Sequence, residues 1–188
     1  VGAGDILNDL ILSKEISTVK LSQIHRQAAT STIINLAHSV NNGLIPEDVF
    51  VMQHDRKLIK CDDSNIISLT IKTVEHYLEK ESLKSKKSIN EILVQDVQVL
   101  VPMYKGEVGI DAFNYYMQEN FNPINKDNSK QIIVGKRRFR VNDKVIQLVN
   151  RSEKNVMNGD IGYISKIEGE VSNCSGLYVQ YSFGEVFY

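Results

Sequence analysis

Cysteine is scarce here: the 188 residues hold two, Cys61 and Cys174, far apart in the chain. So few thiols exclude a disulfide framework and fit a reducing cytoplasm. Neither has a second Cys or a His at ligand spacing, and the four histidines (His25, His38, His54, His76) are scattered, so no metal site is expected. Long apolar runs are missing too. Mean hydropathy is −0.21, and no segment approaches the ~20 apolar residues that a membrane span needs. A secretory leader pattern, internal repeats and low-complexity tracts are absent as well. So is a loop that cradles phosphate: Gly135-Lys136 is followed by Arg137, not Ser or Thr, and lacks the upstream glycine. There is no H-E-x-x-H, no G-x-S-x-G and no carboxylate pair in a magnesium-binding context. This chain alone is expected to complete no reaction and to hold no cofactor.

What is present is an ordinary soluble composition, 42% hydrophobic and 24% charged, enough for one large domain or one medium and one small. Net charge is −1 but unevenly spread. Residues 130–154 carry eight basic side chains against Asp143 and Glu153. Such a strip suits an anionic partner, or equally a solvated edge strand protected from aggregation.

Hydrophobic spacing predicts helices over 5–12, 28–41, 65–81 and 110–120, the third from a single stripe of Ile67, Ile71, Val74 and Leu78. Gly43 is a natural helix stop. Strands are expected at 17–21, 49–52 and 97–101, the last apolar at nearly every position, as a buried parallel strand should be. After the polar linker 125–129 the pattern changes to short strands at 132–134, 139–141, 144–149, 161–167, 177–181 and 186–188. Turn signals stand at Asn158-Gly159, Glu168-Gly169 and Ser175-Gly176. The expected fold is α/β: a partial parallel-sheet domain over 1–124, then a small antiparallel β-barrel over 125–188 that stops within strand-like sequence.

Two places invite chemistry. Residues 21–28 (LSQIHRQA) read as strand, polar turn and helix start, which sets Arg26 outside the carboxyl end of a strand, where α/β sheets bind ligands. Five fixed donors and a permanent charge suit phosphate, although an arginine that pairs locally and holds the turn fits as well. Residues 102–109 (PMYKGEVG) leave another strand. Gly106 and Gly109 would let amides approach a phosphate at a helix start, Lys105 adds charge, and Tyr104 could stack on a base or pack in the turn.

Residues 1–7 (VGAGDIL), 21–28 with 33–38 (IINLAH), 99–106 (VLVPMYKG) with 109–112 (GIDA), and 139–150 (FRVNDKVIQLVN) with 158–162 (NGDIG) together resemble the RecD-like helicases of superfamily one, relatives of the exodeoxyribonuclease V alpha subunit. The likeness covers nearly the whole chain, more weakly over 50–96 and after 165. It implies the front part of a second RecA-like motor domain, followed by an inserted SH3-like barrel, as a fragment of a longer ATP-dependent 5′–3′ DNA helicase of repair and recombination. Val1-Gly2 would end the motif that closes the first motor domain. That domain, with ATP and Mg2+, lies outside this chain, as do the motifs that close the second. Arg26 would be the trans-acting arginine that reaches the γ-phosphate of ATP, with Gln27 as polar support and His25 structural. Single-stranded DNA is the implied partner, touched by Pro102, Met103, Tyr104, Lys105, Gly106 and Gly109. In the barrel, Arg137, Arg138, Arg140, Lys144, Asn150, Asn158 and Gly159 are the candidates, with Gln147 and Asn155 undecided between them. The other readings are a non-enzymatic nucleic-acid-binding module and a protein-interaction scaffold; subunits of a nuclease complex stay unnamed.

Overall fold

The computed structural model describes residues 4–19, 31–125, 130–170 and 173–188. The chain falls into two compact units, Val1–Lys60 and Cys61–Tyr188.

The first unit contains helices α1 (Gly4–Ser13) and α2 (Thr32–Asn41). The α2 start is capped from a distance. Ser31 Oγ donates to Asp55 Oδ2 at 2.8 Å, the Thr32 N–H donates to the same oxygen at 2.9 Å, and Thr32 Oγ1 donates to Oδ1. A carboxylate at this end satisfies an orphan amide and meets the positive end of the helix dipole. The Thr32 hydroxyl, more than any other neighbour, holds the Asp55 carboxyl down at about 2. The folded value lies below the unfolded one, so this contribution is complete above the ordinary aspartate range and is lost as pH falls through the folded value. Protection of the α2 N-terminal amides, taken relative to their intrinsic exchange rate, is expected to fall between about pH 4 and 2, and Asp55→Asn should abolish that change in protection.

Gly43 closes α2 with φ +74°, as its position predicts. The strand expected at 49–52 is instead two tight turns. The Val49 N–H donates to the Pro46 carbonyl at 3.1 Å and the Val51 N–H to Asp48 at 2.9 Å. Phe50, Val51 and Met52 stay exposed. Backbone groups satisfied locally leave no ladder for a neighbour. Of the strand expected at 17–21, residues 20–21 lie outside the described residues, and 17–19 are irregular.

The second unit opens with α3 (Asp63–Ser82), α4 (Ile89–Asp96) and α5 (Ile110–Phe121). Val74 and Leu78 of α3 bury against Ile92 of α4, flanked by Val97, Val99, Met117 and Phe121. Helix α4 was not anticipated, yet its signal is in the sequence: Ser88 and Glu91 form a reciprocal capping box. Residues 97–101 carry no ladder, though Val97 itself is extended, with φ −109° and ψ 129°. A strand exists only with a neighbour, and among the described residues none lies parallel to this one; Leu100 is left 85% exposed.

The barrel is built from a hairpin, β1 (Gln131–Val134) with β2 (Arg137–Arg140), and a four-stranded antiparallel sheet, β3 (Lys144–Ile146), β4 (Ile161–Glu170), β5 (Asn173–Tyr181) and β6 (Gly184–Phe187), in that order. Its core is Val156, Ile164, Ile167, Val179 and Tyr181, with Ile132, Phe139 and Val186 packed on it. Tyr188 continues β6 by exchanging both backbone bonds with Leu177. Two expected turns lie inside strands. Gly169 sits at a register shift in β4, and Gly176 is in β5, where a Cβ would come within 2.4 Å of the Phe187 ring. There glycine serves close packing, not reversal.

Candidate nucleic-acid interface

Residues 102–109 lead from the 97–101 segment into α5. Gly106 holds φ +97°, a conformation other residues rarely adopt. The Gly109 N–H donates to the Gly106 carbonyl at 3.2 Å and the Ile110 N–H to that of Met103 at 2.8 Å. A Cβ on Gly109 would stand 2.7 Å from the Tyr104 carbonyl oxygen and the Lys105 backbone. The glycines are thus needed to fold the loop on itself, and these two amides serve that turn. What the loop offers outward is side chains: Pro102, Met103, Lys105 and Tyr104, the last 70% exposed.

Three cations of the basic strip, Arg137, Arg138 and Arg140, are turned against the chain's own helix α5. Asp111, Tyr115 and Glu119 follow at i, i+4 and i+8 on α5, so they share one face. Strand β2 lays its arginines along that stripe. Arg137 Nη2 is 3.7 Å from Asp111 Oδ1 and Arg138 Nη2 is 3.2 Å from Glu119 Oε1. The Arg138 guanidinium lies 4.8 Å from the centre of the Tyr115 ring. Arg140 goes deepest: it is fully buried, donates to Glu119 Oε1 at 2.8 Å and to the Asn122 carbonyl at 3.0 Å, and holds the Glu119 carboxyl below its usual range.

Beside it, Asp143 accepts from the Arg140 N–H, Gln118 and Asn122 at 2.6–2.7 Å. Burial nevertheless raises its carboxyl above the ordinary range. Lys144 donates to the Val97 carbonyl at 2.6 Å, and burial pulls its ammonium down. Arg140 and Lys144, expected as DNA contacts, thus spend donors within the chain, Arg140 on Glu119 and Asn122 and Lys144 on the Val97 carbonyl just after α4. A strand's backbone pattern does not say which of its cations a neighbouring helix will cover. Arg137 and Lys136 remain exposed, and an exposed pair such as Arg137–Asp111 contributes little, so it exchanges readily for another anion.

The loop after β3 is built by its own candidates. Asn150 Oδ1 accepts the Asn158 N–H at 2.7 Å, and the Gly159 N–H donates to the Gln147 carbonyl at 2.9 Å. Gly159 holds φ +97° and Asn155 the left-handed φ of +56°. Gln147 Oε1 accepts from the Tyr188 hydroxyl. Asn150, Asn158 and Gly159 thus shape the turn, whatever else they touch. Arg26 and Gln27 lie outside the described residues. Among the described residues no group of three or more His, Cys, Asp or Glu could hold a metal ion, and no helix is long and apolar enough to cross a membrane.

Sequence reasoning missed Tyr115 and Tyr116. Both sit on α5 away from the residues that fill the core, and each is nearly half exposed. Their signal was present: two adjacent aromatics outside the apolar stripe of Ile110, Phe113, Met117 and Phe121.

Comparison with known proteins gives two findings. Residues 113–181 match the family described as the SH3 domain of ATP-dependent RecD-like DNA helicases. The chain is also similar to the ATP-dependent RecD2 DNA helicase of Deinococcus radiodurans, 31% identical over 160 residues. That match covers 85% of this chain and 19% of the relative, so the chain spans about a fifth of the length of the protein it matches.

Proposed function

We propose, from the match of residues 113–181 to the SH3 domain of RecD-like DNA helicases and the 31% identity to a RecD2 DNA helicase, that the chain is the segment of an ATP-dependent 5′–3′ DNA helicase that supplies Arg26 and part of the single-strand track. The observation that carries the reading is the family match over 113–181, which runs from α5 through β5. The exposed side chains of Pro102, Met103, Tyr104 and Lys105 and the exposed Lys136 and Arg137 support it as the surface that meets the strand. On this reading residues 1–124 belong to the second RecA-like domain and 125–188 to its inserted barrel, with α5 as the joint. Residues 97–101 are then a strand of a parallel sheet whose neighbours come from elsewhere in the longer protein.

ATP and Mg2+ supply the phosphoryl transfer when bound, and the metal-ligating groups for them are placed in the first motor domain of that protein. This chain's own part is to bring Arg26 to the phosphates and to grip the strand. The protein is placed in the cytoplasm, acting in DNA repair and recombination; the exposed Cys61 thiol suits such a reducing compartment.

The test uses the 188-residue chain by itself. It is expected to show no ATP turnover and to bind oligo-dT weakly, with affinity falling about twentyfold between 50 and 200 mM salt, as release of counterions from about three phosphates requires. Turnover by the isolated chain, or binding indifferent to salt, overturns the reading.

A further inference from the structure

The core side of α5 is filled by Phe113, Met117 and Phe121. Tyr115 and Tyr116 take no part in either apolar core of this unit and stay 49% and 46% exposed. Their rings meet edge to face, with centres 5.2 Å apart at 82°. The Arg138 guanidinium covers Tyr115 at 4.8 Å, and Glu119 holds it there at 3.2 Å. One exposed aromatic residue needs no explanation. Two aromatic rings and a fixed guanidinium make a set of flat, pre-positioned faces, and a planar cation on an aromatic face is worth more when its position is already set.

Charge decides which partner such faces suit. Residues 130–142 carry five cations (Lys130, Lys136, Arg137, Arg138 and Arg140) and no carboxylate. Arg140 is buried, but Lys136 and Arg137 remain at the surface beside the platform. The carboxylates of α5, Asp111 and Glu119, face the arginines of β2 and would repel a phosphate. Flat bases therefore belong against α5 and the sugar-phosphate chain on the side of the hairpin tip. A single strand has both parts and exposes its bases for stacking; a duplex hides them.

We propose that Tyr115, Tyr116 and Arg138 form a base-stacking platform for single-stranded DNA on the outer face of α5. This rests on the helicase reading above and adds to it a second place, on α5 and apart from Tyr104, where bases are stacked.

The experiment measures affinity of the full-length protein for a 15-nucleotide oligo-dT and for an abasic strand of the same length. Three forms are compared: wild type, Tyr115→Leu/Tyr116→Leu and Tyr115→Phe/Tyr116→Phe. Leucine is a strong helix former, so α5 is kept while the rings are lost. The leucine pair is expected to weaken binding of the intact strand about tenfold, the loss of one stacked base, and to leave the abasic strand unaffected. The phenylalanine pair should bind as wild type does. Equal affinity of leucine variant and wild type for the intact strand, or an equal loss on both strands, overturns the platform and leaves the helicase reading standing. Wild-type protein that binds neither strand overturns both.

Discussion

Arg26→Ala in the full-length protein is expected to lower single-strand-stimulated ATP turnover by about 10³-fold or more while nucleotide affinity changes little. The physics is that of a planar cation delivered across a domain interface. It stabilises charge that develops on the transferring phosphoryl group, and such an arginine is worth 10³ to 10⁵ in kcat. Because the interaction is stronger in the transition state than in the bound ground state, the loss should appear in kcat and not in KM. Arg26→Lys should recover little, since a point charge cannot reproduce the bidentate fork. Steady-state ATPase with oligo-dT, together with an equilibrium nucleotide titration, separates the two effects. Turnover within a few-fold of wild type would make Arg26 a turn-holding residue and favour the non-enzymatic binding module.

The second large effect concerns the tie between barrel and helix. Glu119→Ala removes the carboxylate from Arg140, whose side chain is 1% exposed and whose Nε is already buried without a hydrogen-bond partner. A buried charge stripped of its counter-ion costs about 3–5 kcal/mol. The lower figure, about 3 kcal/mol, is expected here because Glu119 itself keeps part of its surface in water. Adding Arg140→Met removes the stranded cation and keeps most of its volume. The double variant should therefore recover more than half of the loss, a coupling that independent sites would not show. Amide exchange of β2 and β4 in the full-length protein reads this directly. A single variant within about 0.5 kcal/mol of wild type would show that the pair is ornamental, as surface ion pairs commonly are.

These two residues also show how differently parts of the site could be read. Arg26 draws attention by local sequence pattern, a charged residue where strand-like sequence gives way to helix-like sequence, and that pattern needs no knowledge of the rest of the chain. Arg140 reads in sequence as one more cation of an exposed basic strip. Its burial depends on Glu119 and Asn122, which stand on a different element and leave no local trace at position 140. Lys144 is alike: its acceptor is the carbonyl of Val97, 47 positions earlier. The tyrosine pair was legible in principle, as aromatics off the apolar stripe, but without a neighbour in view it carried no chemistry. Only the placement of Arg138 over Tyr115 makes it a candidate surface.

By itself the sequence determined the helices expected over 65–81 and 110–120, the stop at Gly43, and the change from helical to strand periodicity after the 125–129 linker. All of these rest on spacing within a few residues, which the backbone reads locally. Tertiary structure alone decided that 49–52 turns instead of pairing, that 97–101 carries no ladder, that Gly169 and Gly176 lie within strands, and that the arginines of β2 meet carboxylates of α5. A strand requires a neighbour, and the exposure of a charge depends on what packs over it. Both are set by residues distant in the chain, which no local pattern encodes.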